Sequence, residues 1–259
     1  MTYQPPIYTQ YDDVKRQLNR VSQLFHNHGD AALDLTTRLQ DMMLAIIKDG
    51  DQAVMRYTRQ FDRVEDPHFQ LLVTDSEIRE AYHHVSEDYV SALKRAKTNI
   101  ESFHSHQKPQ NLHQASDGVT YGMTYTPIQS VGLYVPGGRA QYPSSVLMNA
   151  IPAALAGVPN IVMVTPPQLS GQLSPEVLVA ADLCGVHKII KSGGAQSIFA
   201  LANGTTCIPK VHKIVGPGNL YVTRAKQMVY GLVDIDKPAG PSEVLVVVQD
   251  SKYASYAAA

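Results

Sequence analysis

The chain reads as an α/β protein, with Rossmann-like parallel sheets and helical crossovers preceded by an N-terminal helical region. Three observations predict this. Apolar residues in the first half recur at three- and four-residue steps. The second half alternates short apolar runs with helical segments, and its strands recur roughly every 26 residues, as β-α-β crossovers require. Glycine-rich turns follow successive strands.

The first helical face carries Tyr11, Val14, Leu18, Val21 and Leu24, and the second carries Leu35, Leu39, Met42 and Ile46 before Asp49-Gly50. Thr74 with Glu77 has the spacing of a capping box for a helix starting near Ser76. Tyr89, Leu93, Ala96, Ile100 and Phe103 form one stripe, which predicts a helix over 86–106. Val119, Tyr121, Met123 and Tyr125 then alternate with polar or small residues, the period of a half-buried strand.

From there the grammar changes. Strands are expected at 130–135, 161–164, 188–190 and 211–215, with helices at 175–183, 195–201 and 220–229. A valine-rich strand at 243–248 suits a sheet buried on both faces. Residues 251–259 read as the opening of a helix that the chain does not finish. The expected division is 1–128 for the helical region and the start of a first α/β domain, 129–236 for a Rossmann-like domain, and 237–259 for a return into the first domain.

Composition narrows the function classes. Of 259 residues, 44% are hydrophobic and 17% charged, enough to bury a sizeable core. The net charge of −1 gives no basic footprint for nucleic acid or anionic lipid. The two cysteines, Cys184 and Cys207, make neither a metal-like pair nor a disulfide framework, which suits a reduced, cytoplasmic protein. Asp12 and Asp13 come too early for a secretory leader. The most apolar stretch, 150–164, is broken by Pro152, Gly157, Pro159 and Asn160, so it is not a membrane span.

In a doubly wound sheet, ligands bind at the carboxyl ends of the strands. Three turns fall there: Pro136-Gly137-Gly138, Gly193-Gly194-Ala195-Gln196 and Gly216-Pro217-Gly218-Asn219. Glycine lets backbone N–H groups approach a ligand, and a helix N-terminus behind the turn suits an anion. The fingerprint Gly-x-Gly-x-x-Gly is absent, so these turns alone do not specify a nucleotide. The amides of Asn219 and Gln196 either bind a ligand or, for Asn219 above all, cap a helix. Tyr134 is either a site residue or an ordinary strand aromatic. The stiff loop Lys237-Pro238-Ala239-Gly240-Pro241-Ser242 holds Ser242 either for a substrate contact or as a well-made turn. No complete catalytic set is visible.

Four ordered motifs carry a resemblance. They are Ser130-Val131-Gly132-Leu133-Tyr134-Val135-Pro136-Gly137-Gly138, Ser192-Gly193-Gly194-Ala195-Gln196-Ser197-Ile198, Lys213-Ile214-Val215-Gly216-Pro217-Gly218-Asn219 and Pro238-Ala239-Gly240-Pro241-Ser242-Glu243-Val244-Leu245-Val246. Together with Gly50-Asp51-Gln52-Ala53-Val54 and Asn99-Ile100-Glu101-Ser102-Phe103-His104, they resemble the histidinol dehydrogenase family from about Asp49 onward.

The resemblance implies an aldehyde-dehydrogenase-like fold and a zinc- and NAD-dependent oxidation of L-histidinol to L-histidine through the aldehyde, in histidine biosynthesis. It implies that Tyr134, Gln196 and Asn219 bind NAD, within a domain over 129–236, and that Ser242 binds substrate. Family members are homodimers whose tails complete each other's sites. The family's zinc ligands and its catalytic Glu-His pair correspond to positions beyond Ala259. This chain is therefore expected to hold no catalytic and no metal residue and to be inactive alone. The alternatives are a family member acting on another small polar alcohol, or a non-catalytic nucleotide-binding module.

Overall fold

In a computed structural model, the structure describes residues 12–13, 15–16, 30–137, 141–186, 188–238 and 249–250. The chain divides into two compact units, residues 38–239 and residues 1–37 with 240–259. Most of the second unit, with the first helical face, the 243–248 strand and the 251–259 segment, lies outside the described residues.

Helix α1 (Asp30–Asp49) buries the predicted stripe at Leu39, Met42 and Ile46. Helix α2 (Asp51–Asp62) follows directly. Helix α3 (Asp75–Ala81) starts on a full capping box: Glu77 N donates to Thr74 Oγ1 at 3.2 Å, and Thr74 N donates to Glu77 Oε2 at 2.8 Å. These two bonds satisfy donors that a helix start otherwise leaves open. Helix α4 (Glu87–Ser105) is capped by Ser86 and buries Leu93, but Phe103 at its end is exposed.

Strands β1 (Leu112–Ser116) and β2 (Val119–Met123) form an antiparallel hairpin. The alternating pattern of β2 predicts one buried face, yet every residue of both strands is exposed. Alternation encodes which residues share a face, not whether that face is covered.

The second sheet is the core of residues 38–239. Its strands are β3 (Ser130–Tyr134), β4 (Asn160–Thr165), β5 (Lys188–Lys191), β6 (Lys213–Val215) and β7 (Asp234–Ile235). All neighbours pair parallel, in the order β5-β4-β3-β6-β7. The crossovers are α5 (Pro143–Leu155), α6 (Pro175–Leu183), α7 (Gly194–Asn203) and α8 (Leu220–Val229).

The periodicity of β3 explains the packing. Val131, Leu133 and Val135 join Met163 and Ile189 in one apolar cluster with Val146, Leu147, Ala150 and Ile151 of α5 and Val177, Leu178 and Ala181 of α6. On the other face Gly132 meets Leu201 of α7. Leu133, Met163, Ile189 and Phe199 are fully buried, and each such side chain stabilises the fold by roughly 1.5–3 kcal/mol relative to exposure. A strand sequence with no polar alternation is what a sheet covered on both faces requires.

The chain winds outward from β3 through β4 to β5, then returns to the other side of β3 to lay down β6 and β7. The order therefore reverses between β3 and β6, and in doubly wound sheets ligands bind beside such a reversal at the carboxyl ends. No helix among the described residues is long and apolar enough to cross a membrane.

Candidate active site: the carboxyl rim of the parallel sheet

The glycine turns that follow β3, β5 and β6 meet at this rim. The Gly194 N–H donates to the Tyr134 hydroxyl at 3.3 Å, which joins the β5 turn to β3. A Cβ at Gly193 would lie 2.6 Å from Pro166, the residue after β4, so only glycine lets the two turns close up. Gly216 after β6 has φ +117, and a Cβ there would stand 2.1 Å from the Tyr134 carbonyl oxygen. Sterics thus fix glycine at Gly216 twice over.

Tyr134 is only 4% exposed. Burial, with some help from the Asp62 carboxylate, pushes its phenol up to about 12 against the opposing Gly194 N–H, so it stays protonated. Its hydroxyl accepts from the turn and keeps its own proton to donate.

Gln196, in the first turn of α7, is 1% exposed. Its Nε2 is buried without a hydrogen-bond partner in the protein. Among the described residues the other such side-chain atoms are Asp62 Oδ2 and Tyr89 Oη. Two of the three belong to this rim, which is where a ligand would complete them. A buried amide left unpaired costs about 1–3 kcal/mol, so the fold tolerates it only where something else is gained.

Asp62, the last residue of α2, was not singled out by sequence. Burial pushes its carboxyl up to about 6, while the Gly193 N–H pulls the other way. Nothing in its local pattern, Phe61-Asp62-Arg63, signals this, because its environment includes a turn 131 positions further along the chain. Nearby, the fully buried Thr58 and Ser192 hydroxyls share a hydrogen bond of 2.8 Å.

Asn219 lies on the β6 side. Its Oδ1 accepts from Val222 N at 3.1 Å, so it is the N-cap of α8. It is exposed, and its Oδ1 is the end of the amide that the cap uses. The capping reading is therefore right, and a ligand contact through the other end of the same amide is compatible with it. Sequence reasoning also missed Lys226 and Asp236, an ion pair behind this turn. Ser242 and Gly138 lie outside the described residues.

The other side chains read as structural. Lys191 pairs with Glu77 at 2.8 Å. Burial alone would raise the Glu77 carboxyl, but the Lys191 hydrogen bond and charge, with Thr74, hold it below the usual range. Burial pushes the Cys184 thiol up to about 11, which makes it an unreactive packing residue. No group of three or more His, Cys, Asp and Glu among the described residues is placed to hold a metal ion.

A family model described as histidinol dehydrogenase matches residues 26–259. "Histidinol dehydrogenase 2" of Trichormus variabilis is 47% identical over 245 residues, covering 94% of this chain and 56% of that protein. The histidinol dehydrogenase of Clostridium acetobutylicum is 52% identical over 214 residues, covering 82% and 49%. The crystal structure of histidinol dehydrogenase from Elizabethkingia anophelis superposes with a TM-score of 0.77 at 41% identity, over 80% of this chain and 48% of that one. The chain thus spans about half the length of the curated relatives it matches. With the motifs, the strand order and these relatives in agreement, the chain belongs to the histidinol dehydrogenase family.

Proposed function

We propose that this chain supplies the dinucleotide-binding part of a histidinol dehydrogenase, oxidising L-histidinol to L-histidine with NAD. The observation that carries the reading is the buried, unpartnered Gln196 Nε2 in the turn after β5, which is bonded to Tyr134 at the end of β3. That donor suits an acceptor on a bound dinucleotide. NAD, when bound, supplies the hydride acceptor.

In this reading the chain's own residues bind and orient. Gln196 Nε2 donates to the ligand, the Tyr134 hydroxyl holds the Gly193-Gly194 turn open for it, and Asn219 offers Nδ2 while Oδ1 keeps α8 capped. Burial around Tyr134 and Gln196 excludes water, which strengthens their bonds. Ser242 would contact the substrate from the loop that follows residue 237. The domain over 129–236 corresponds to the dinucleotide unit, flanked by 1–128 and 237–259.

The finer points rest on family membership. They are L-histidinol as the substrate, zinc held by residues other than those described, a homodimer, and a cytoplasmic location. No step through zinc follows from this chain, because its described residues offer no ligand set.

The test is histidinol-dependent NADH formation by the complete enzyme and by the 259-residue chain. The reading expects turnover by the first and none by the second. It expects Gln196→Met in the complete enzyme to raise KM for NAD at least tenfold. Turnover by the short chain, or an unchanged KM in that variant, would refute the division of labour.

A further inference from the structure

Lys226 lies in the last turn of α8 and is 3% exposed. Lysine is almost never buried to this degree unless it is paired, because the ammonium loses its hydration. Here it donates to Asp236 Oδ1 and, at 3.1 Å, to the carbonyl of Gly216. Asp236, just after β7, uses its other oxygen to accept from the Gly216 N–H at 2.9 Å. Both polar groups of one backbone residue therefore end on the same ion pair.

That residue is the first of the β6 turn. Gly216 sits outside the β6 ladder, and Pro217 behind it carries no N–H. Packing alone would leave the Gly216 N–H and C=O unsatisfied as they enter the buried rim. A Cβ on Gly216 would also meet the Tyr134 carbonyl, so β3 approaches the turn closely. The turn is held from three elements: β3 by contact, α8 by the ammonium and the end of β7 by the carboxylate. Asn219, the expected cofactor contact, lies three residues further along this same rigid turn.

We propose that Lys226 and Asp236 are positioning residues for the dinucleotide, which fix the turn Gly216-Pro217-Gly218-Asn219 in its binding form. The claim rests on the NAD reading above. It differs from that reading because neither residue touches the ligand.

The experiment uses Lys226→Met, which keeps the length and apolar stem of the side chain and removes its charge and donors. Asp236, a third exposed, can then take up water. NAD affinity is measured by calorimetry well below the unfolding midpoint, and hydrogen exchange is followed across residues 213–222. The NAD Kd is expected to rise at least tenfold, or about 1.4 kcal/mol, with faster exchange at Gly216 and unchanged protection in β3 and β4. A merely structural role would lower Tm and leave the Kd of the folded protein where it was. A folded Lys226→Met protein with an unchanged Kd and unchanged exchange at Gly216 overturns the proposal. If that variant does not fold, Lys226→Gln, which keeps a donor for the Gly216 carbonyl, is judged by the same two readouts. Absence of NAD binding by the unmutated protein overturns the dinucleotide reading instead, and the exchange result still decides whether the ion pair sets the turn.

Discussion

The two sides of the rim handle their polar groups in opposite ways. On the β6 side the backbone of Gly216 is tied off by Lys226 and Asp236, and Asn219 caps the start of α8. On the β5 side Gln196 Nε2 and Asp62 Oδ2 are buried with no partner. Both sides sit at carboxyl ends of one sheet, so the difference is not one of fold. Satisfied groups hold a turn in place. Unsatisfied ones are retained at a cost to stability where a ligand completes them. Gly216 on the β6 side is accordingly the frame, while the β5 side keeps the two polar atoms for which the proposed ligand is the missing partner.

The largest expected effect falls on the frame. Gly216→Ala places a methyl group against the Tyr134 carbonyl and forbids the backbone angle that glycine takes there. It should destabilise residues 38–239 by about 3 kcal/mol or more, read by urea unfolding. A loss below about 1 kcal/mol would mean that the rim yields easily, and the frame would be no frame.

Asp62 should behave in the opposite sense. Its carboxyl is raised to about 6 in the folded protein, above its ordinary 3.8. The folded state therefore holds the proton more tightly than the unfolded chain. The neutral carboxyl's contribution is complete below pH 3.8 and is lost as pH rises through about 6. Asp62→Asn should thus gain on the order of 2 kcal/mol at pH 8 and almost nothing near pH 4. A substitution equally neutral at both pH values would show that burial does not strain this carboxyl.

Gln196→Met is the sharpest contrast between stability and binding. It replaces a buried, unpaired amide by an apolar side chain of similar length. The fold should lose less than about 1 kcal/mol, or gain. NAD binding should nevertheless weaken at least tenfold. If stability falls by several kcal/mol while NAD affinity holds, the amide is a structural group after all.

The smallest effect belongs to Asn219. Asn219→Ser keeps an oxygen for Val222 N, so stability should change by a few tenths of a kcal/mol, whereas Asn219→Ala should cost about 1 kcal/mol. Both variants lose the free Nδ2 and should weaken NAD binding alike. Equal affinity of Asn219→Ser and the unmutated protein would reduce this residue to a cap.

Much of the fold was legible because its signals are local. The helices at 175–183 and 220–229 were read to the residue, and the strands at 130, 160 and 188 to within one or two. The capping box at Thr74 was visible as a four-residue spacing. Helix α5 was not called, although Val146, Leu147, Ala150 and Ile151 keep a helical face. Pro152 masked it, yet a proline near a helix end removes only the bond to the Met148 carbonyl. Strands β1 and β7 were also unread, since His113-Gln114-Ala115 carries little strand propensity and the two residues Asp234-Ile235 are too few to show a period.

The site divides in the same manner. The glycine turns and the amides beside them were legible because strand, turn and helix follow each other in sequence. Asp62, Lys226 and Asp236 were not. Each reaches the rim through a contact between residues that are not neighbours in the chain, and an ordinary surface-like pattern gives no hint of it.

The most direct measurement is a titration of NAD into the purified protein, with the side-chain amides of Gln196 and Asn219 followed by NMR. The account predicts saturable shifts of both amides by about 1 mM NAD, the upper end of ordinary enzyme KM values, with the Gln196 amide moving more. Saturable binding that leaves the Gln196 amide in place, or no binding at that concentration, would contradict the assignment of this rim as the dinucleotide site.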